Sequence, residues 1–110
     1  DIKNAERLRI ELGWSIRIFS SAIRTSNSSY VRYKKELKLL NTTLSENIFE
    51  VAKTCYFCLD YFENIERFNI WLNTPSLQFD SKKPLTFIDT IAGREFIKNT
   101  VNRLKYAYNA

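Results

Sequence analysis

The stretch WLNTPSLQFDSKKPLTFIDTIAGREFI, residues 71–97, holds both prolines of the chain and the later of its two glycines. Proline lacks a backbone N–H and is tolerated at the first position of a helix, so Pro84 predicts the start of a short helix. A threonine hydroxyl can accept a hydrogen bond from a first helical turn, so Thr90 predicts the cap of the last helix. The stretch therefore predicts that a helix ends near Leu72 and that a loop at residues 73–83 leads into two further helices.

The composition of the whole chain favours helices. Only two glycines and two prolines occur in 110 residues, whereas an all-β fold needs many turn residues. Hydrophobic residues make up 45% of the chain and sixteen residues are aromatic, which is enough to form a core. We therefore expect an all-α fold, built as one compact domain or as two small units that share a core.

Residues that can accept hydrogen bonds from a first helical turn stand where helical periodicity begins. They are, in chain order, Ser15, then Ser26 or Asn27, then Thr43 with Glu46 in the spacing of a capping box, and Asn64. Gly13 is placed to end a first helix that starts near Asn4, since glycine commonly follows the last helical residue. These signals predict a short first helix, two helices before residue 41, one long central helix and a short helix after it.

Apolar residues at steps of three and four predict the buried faces of these helices. For the third helix the expected inward residues are Tyr30, Val31, Leu37 and Leu40. For the long helix they are Ile48, Phe49, Ala52, Cys55, Tyr56, Leu59 and Phe62. The wide stripe on the long helix is typical of a helix that packs on several neighbours.

The excess of positive charge lies in the first part of the chain. Residues 1–45 hold nine Lys/Arg and four Asp/Glu, whereas residues 46–110 hold eight of each. Lysine and arginine gain affinity for polyanions by releasing counterions from phosphates. The distribution indicates one surface for a polyanion and another for a different partner, and a basic face that only meets water is the alternative.

Two short helices joined by a tight turn, at residues 15–35, are typical of a helix-turn-helix. In that motif the first residues of the second helix contact base edges, and nearby cations contact phosphates. The predicted DNA-binding residues are therefore Arg24, Asn27, Ser28, Ser29, Arg32, Lys34 and Lys35. We expect this helix-turn-helix section to pack with a small helical module formed by the rest of the chain.

The chain lacks the residues of common catalytic and metal sites. It contains no histidine, so it offers no Ser-His or Cys-His couple, and the two cysteines alone cannot complete a structural zinc site. Cys55 and Cys58 are interpreted as core residues, because buried cysteine behaves as a small hydrophobe. We expect no catalytic activity, no metal and no cofactor. The sequence also shows no apolar run as long as a membrane span and no signal peptide, so we expect a cytoplasmic protein.

The motifs of the second half follow a recognisable order. They are Leu44-Ser45-Glu46, the approach from Phe62 to Trp71-Leu72, then Pro75, Phe79, Lys83-Pro84-Leu85, Asp89-Thr90, Gly93 and the tail from Arg103 to Tyr108. This order resembles the carboxy-terminal toxin-binding domain of the Xre/MbcA/ParS antitoxins, and residues 15–35 resemble the helix-turn-helix of the same family. The chain departs from the family pattern at Asp80 and Ser81, where glycines are common, and at Ala107, where a glycine is frequent.

The resemblance implies a function for each part of the chain. Residues 1–42 would bind DNA as an Xre-like helix-turn-helix, and residues 43–110 would bind and block a RES-domain toxin that consumes NAD or transfers ADP-ribose. It also implies a homodimer in a bacterial cytoplasm that represses its own operon. The contact surfaces would be the loop at residues 73–83 and the tail from Arg103, with toxin-binding residues Phe79, Lys82, Lys83, Arg103, Tyr106, Tyr108, Asn109 and Ala110.

The residues leave other interpretations open. The chain could be a stand-alone helix-turn-helix transcription regulator whose second half dimerises or senses a ligand. It could also be an inhibitor that has lost its affinity for DNA.

Overall fold

The computed structural model describes the backbone of residues 1–109 and the side chains of residues 1–107. Within that range the fold is all-α, as the sequence predicts, with no strand. Its α-helices are α1 (Ile2–Leu12), α2 (Ile16–Ala22), α3 (Asn27–Glu36), α4 (Thr42–Phe62), α5 (Ile65–Leu72) and α6 (Ile91–Asn109). Two 3₁₀ turns, Leu77–Phe79 and Pro84–Phe87, lie between α5 and α6.

The chain divides into two compact units. The amino-terminal unit is Asp1–Ala52 and the carboxy-terminal unit is Lys53–Ala110, so the division falls within α4. The assignment of DNA binding to residues 1–42 and of toxin binding to residues 43–110 stays a prediction.

Hydrogen bonds at the helix starts confirm most of the predicted caps. The hydroxyl of Ser15 accepts from the N–H of Ile18 at 3.1 Å, and the hydroxyl of Ser26 accepts from Ser29 at 3.0 Å. Ser26 is therefore the cap of α3, and Asn27 is its first residue. The predicted caps at Asn64 and Thr90 are also present, with hydrogen bonds of 2.8 and 2.9 Å, and Pro84 starts the second 3₁₀ turn. Gly13 follows α1 in the left-handed conformation, with φ 71°.

The predicted capping box of α4 is wrong. The side-chain oxygen of Asn41 accepts from the N–H of Leu44 at 2.8 Å, and the Asn41 carbonyl accepts from Ser45 at 3.0 Å. Asparagine is as strong a cap as any residue and stands two positions earlier than Thr43, so α4 begins at Thr42.

Two predicted buried faces also need correction. On α3 Tyr30 is buried and Leu40 beyond the helix is half-buried, but Val31 and Leu37 are exposed. Leu37 has φ 51°, so the helix ends before it and its side chain leaves the helical register. On α4 the predicted inward residues Phe49 and Tyr56 are 60% and 55% exposed. The buried positions of α4 are Leu44, Val51, Thr54, Cys55 and Cys58, a stripe rotated from the predicted one.

An aromatic contact and a charged network join the helices of the amino-terminal unit. The Phe19 and Tyr30 rings meet edge to face, with centroids 5.6 Å apart. The Tyr30 hydroxyl donates to the Glu6 carboxylate at 2.7 Å, and the same carboxylate accepts from Arg9 Nε at 2.9 Å and from Lys34 Nζ at 2.9 Å. The hydrogen bonds from Arg9, Tyr30 and Lys34 outweigh the effect of burial and lower the pKa of Glu6 to about 2. The network therefore ties α1 to α3.

Gly93 has no room for a side chain. A Cβ at this position would lie 1.8 Å from the Phe87 carbonyl oxygen and 2.7 Å from the Thr90 hydroxyl oxygen. We predict that Gly93→Ala destabilises the protein by about 3 kcal/mol or more, because the second 3₁₀ turn and α6 must move apart. Thermal unfolding followed by circular dichroism measures this. Ala92→Ser at the exposed neighbouring position is the control, and an unchanged melting temperature for Gly93→Ala would contradict the prediction.

The Glu6 network makes stability depend on acidity. Because the pKa of Glu6 is lower in the folded chain than its ordinary value, the unfolded chain takes up the proton first as the pH falls. The stabilisation is complete above about pH 5 and is lost progressively towards about pH 2. Urea unfolding from pH 6 to pH 2 should show that Glu6→Gln is less stable than wild type at pH 6 and that the gap narrows in acid. Glu46→Gln, at an exposed position of α4, is the control, and a gap independent of pH would contradict the prediction.

Candidate functional site

A cluster of aromatic rings forms the centre of the carboxy-terminal unit. The Phe79 ring meets Trp71, Phe87 and Phe96 edge to face, with centroid distances of 5.6, 5.0 and 4.9 Å. Trp71 in turn lies 5.3 Å from the Phe62 ring. The cluster joins α4, α5, both 3₁₀ turns and α6, so it fixes the loop at residues 73–83 to the helices of its own unit.

Phe79 itself is buried at the middle of this cluster. Its predicted contact with a toxin stays a prediction, but a side chain in this position is placed to hold the loop rather than to reach a partner. The burial follows from the first 3₁₀ turn, in which Leu77 and Phe79 point to opposite sides: Leu77 is 89% exposed and Phe79 is covered.

Backbone hydrogen bonds close the loop that Phe79 fixes. Ser76 and Lys82 form an isolated antiparallel bridge, and the Ser76 carbonyl accepts from the N–H groups of Phe79 and Ser81 at 3.1 and 2.9 Å. Asp80 and Ser81 both adopt the left-handed conformation, with φ 58° and 62°. Glycine reaches positive φ without the strain that a Cβ causes, so both residues carry a backbone cost.

The exposed face of this loop carries one apolar and two cationic side chains. Lys82 and Lys83, both predicted toxin-binding residues, are exposed beside the bridge. Leu77 is exposed as well, and the sequence gives no sign of this, because a leucine between a proline and a phenylalanine reads as a core residue. The loop therefore has a closed backbone and presents a leucine beside two lysines to solvent.

The last helix presents part of the predicted tail. Arg103 and Tyr106 are exposed, as expected of contact residues, whereas the side chains of Tyr108 and Asn109, and Ala110 as a whole, lie outside the described residues. Lys105 Nζ lies 2.6 Å from Asp60 Oδ2 and 5.9 Å from the centre of the Phe57 ring. This hydrogen bond lowers the pKa of Asp60 and joins α6 to the end of α4.

The predicted DNA-binding residues fall into two groups. Arg24, Asn27, Ser28, Arg32 and Lys35 are exposed, and Ser29 is half-buried. Lys34 is instead held by the Glu6 carboxylate, with which it forms an ion pair of 2.9 Å. A phosphate would have to compete with that carboxylate for Lys34.

The cysteines are core residues, as interpreted from the sequence. Both are free thiols and fully buried. Burial raises the pKa of Cys58 to about 12 and raises the pKa of Cys55 as well, so both thiols are protonated at neutral pH. Within residues 1–107 no three Cys, Asp or Glu side chains are grouped so that they could hold a metal ion. None of the helices that the structure describes has the length and apolar character needed to cross a membrane.

The aromatic cluster, the closed loop and the exposed side chains define a small helical binding module. Residues 59–107 match the family model of the antitoxin Xre/MbcA/ParS C-terminal toxin-binding domain. This match confirms the resemblance over residues 59–107, from the end of α4 to α6. The family is thus described as the toxin-binding domain of antitoxins. The chain matches none of the curated proteins with which it was compared.

The two left-handed loop residues give a test of the loop conformation. A left-handed residue with a Cβ costs roughly 1–2 kcal/mol, and glycine avoids most of that cost at the expense of about 0.5–1 kcal/mol of chain entropy. We predict that Ser81→Gly leaves the melting temperature unchanged or raises it, whereas Ser81→Val lowers it. Calorimetry measures both, with Ser45→Val at an exposed site of α4 as the control for the valine side chain. Equal effects of glycine and valine at position 81 would contradict the observed conformation.

Proposed function

We propose that this chain is the antitoxin of a type II toxin–antitoxin pair, which binds a RES-domain toxin and blocks its NAD-consuming or ADP-ribosylating activity. The match of residues 59–107 to the toxin-binding domain carries the proposal. In this proposal the chain itself performs no catalysis and needs no cofactor. The pair acts in a bacterial cytoplasm, where the NAD pool and the operon are found.

Two surfaces of the carboxy-terminal unit serve as toxin contacts in this proposal. The first is the loop at residues 73–83 with Leu77, Lys82 and Lys83, whose rigid backbone keeps the ordering cost of binding low. The second is the tail, with the exposed Arg103 and Tyr106 and, beyond the described side chains, Tyr108, Asn109 and Ala110. Tyrosine and arginine are enriched among the residues that dominate interface energies, which supports Arg103 and Tyr106 as contacts.

The amino-terminal unit acts as the operator-binding part in this proposal. Helices α2 and α3 are joined by the four residues 23–26, a spacing that suits a helix-turn-helix, and Asn27 and Ser28 are exposed at the start of α3. Arg24, Arg32 and Lys35 lie nearby as candidate phosphate contacts. A homodimer would present two copies of α3 to two half-sites, so repression of the operon would depend on dimerisation.

The second candidate is a stand-alone helix-turn-helix regulator whose second half dimerises or senses a ligand. The basic character of residues 1–45 favours DNA binding in both proposals, so it does not separate them. A neighbouring gene that encodes a RES-type protein favours the antitoxin, and its absence favours the regulator.

Co-expression with the protein encoded by the neighbouring gene tests the antitoxin proposal. The two proteins should elute together from a sizing column, and the partner should consume less NAD in the complex than alone. If the chain elutes alone and the partner stays active, the regulator becomes the leading proposal. Binding to the chain's own promoter in a gel-shift assay then tests the regulator.

The exposed leucine of the loop should be an anchor of the complex. We predict that Leu77→Asp weakens binding to the neighbouring toxin by about 30-fold or more, since truncation of a dominant interface residue costs about 2 kcal/mol or more. Leu39→Asp, at a leucine that is 87% exposed in the amino-terminal unit, is the matched control. Surface plasmon resonance gives both affinities, and circular dichroism checks the fold. Wild-type affinity in Leu77→Asp would remove the loop from the interface.

A further inference from the structure

The amino-terminal unit contains a polar cleft between α3 and the start of α4. Its volume is about 410 Å³. The side chains that carry its chemistry come from the turn before α3, from α3 and from the first turns of α4, and they are Arg24, Ser29, Arg32, Thr42, Thr43 and Asn47. Of these, only the first three are among the residues that the sequence predicts to bind DNA.

The charges of the cleft are of one sign. Two guanidinium groups line it, and no Asp or Glu among the described residues does. Hydroxyl groups of Ser29, Thr42 and Thr43 add neutral donors, and guanidinium groups bind phosphate oxygens in a bidentate manner. A ligand that satisfies these groups carries negative charge and several acceptor oxygens, which describes a phosphate group.

The walls of the cleft are held in place before any ligand arrives. The Asn47 side-chain N–H₂ donates to the Ile23 carbonyl at 3.1 Å, which ties α4 to the turn before α3. The Asn41 side chain caps α4 and so fixes the orientation of the first helical turn, which carries Thr42 and Thr43. Binding therefore orders few additional groups.

The backbone of Arg24 gives separate support for a function of its side chain. Arg24 has φ 64° just after α2, in a turn closed by the Thr25 N–H and the Ser20 carbonyl at 2.9 Å. Glycine is the usual residue in such a position, and a residue with a Cβ costs roughly 1–2 kcal/mol there. The backbone conformation alone favours glycine at position 24, so an interaction of the arginine side chain offsets this cost, and its guanidinium group lines the cleft.

We infer that the cleft binds a phosphate group between Arg24, Arg32 and the hydroxyl groups at the start of α4. The phosphate comes either from the backbone of DNA bound by α3 or from a free phosphorylated ligand. The DNA source rests on the proposed operator binding, and the free-ligand source does not. In both cases Thr42, Thr43 and Asn47 extend the binding surface beyond the predicted helix-turn-helix residues.

Three variants and two probes test the inference. The variants are Arg24→Gly, Arg32→Gln and Thr43→Glu, the last of which places a carboxylate in the cleft, and Arg7→Gln on α1 is the control. The probes are a short duplex from the region upstream of the gene, titrated at several salt concentrations, and inorganic pyrophosphate, followed by the amide shifts of Ser29 and Thr43. Each variant should keep the wild-type circular dichroism spectrum while it lowers affinity, a combination that a merely structural role would not give.

If the source is DNA, each variant should lower the affinity for the duplex by about tenfold. Loss of one phosphate contact should also reduce the slope of log K against log salt by about one. If the source is a free ligand, pyrophosphate should bind saturably, and the three variants should abolish its binding, whereas a cleft that takes only DNA phosphates should not bind pyrophosphate. The inference is overturned if the variants change neither affinity, or if the wild-type chain binds neither probe. If only duplex binding fails, the result counts against operator binding, and the pyrophosphate titration decides whether the cleft is a phosphate site. Toxin inhibition is measured separately from both.

Discussion

The edge-to-face packing of Phe79 is the interaction on which the binding module depends. The Phe79 ring packs against the rings of Trp71, Phe87 and Phe96. Helix α5 ends next to Trp71, and the two 3₁₀ turns end at Phe79 and Phe87. Buried aromatic pairs of this kind add about 0.5–1.5 kcal/mol each beyond the burial of their area. A loop with few apolar neighbours would otherwise be free to move, so the cluster turns an irregular segment into a fixed surface.

The two units reach rigidity by different chemistry. The carboxy-terminal unit relies on edge-to-face aromatic rings and on Gly93, which lets the second 3₁₀ turn approach the start of α6. The amino-terminal unit relies on the Glu6 carboxylate, which gathers donors from Arg9, Tyr30 and Lys34. A charged network at such a place fixes the relative position of α1 and α3 at the expense of sensitivity to acid, whereas the aromatic cluster has no titratable group.

Much of the fold can be predicted from the sequence, because helix ends depend on local chemistry. Ser15, Asn64 and Thr90 cap their helices as expected, since a cap involves residues only two or three positions apart. The buried face of α4 cannot be predicted in the same way. Phe49 and Tyr56 fit an apolar stripe, but which stripe is covered depends on the neighbouring elements, and a long helix rich in apolar residues offers more than one.

The candidate site, like the fold, can be predicted from the sequence only in part. The position of the loop and the exposure of Lys82 and Lys83 follow from the prolines and the charges. The burial of Phe79 and the exposure of Leu77 depend on the direction of a single 3₁₀ turn, which local sequence does not encode. The left-handed backbone of Asp80 and Ser81 cannot be predicted from local sequence either, because neither residue indicates positive φ as strongly as glycine does.

The buried thiols of α4 give the protein a built-in reporter of its own opening. Cys55 and Cys58 are covered and protonated in the folded chain, so an alkylating reagent reacts with them only after local or global unfolding has exposed them. The rate of labelling, compared with that of a free thiol, therefore measures the free energy of the opening that exposes α4. The same measurement in the presence of a bound partner would show by how much binding suppresses that opening, without any mutation to introduce a reactive group.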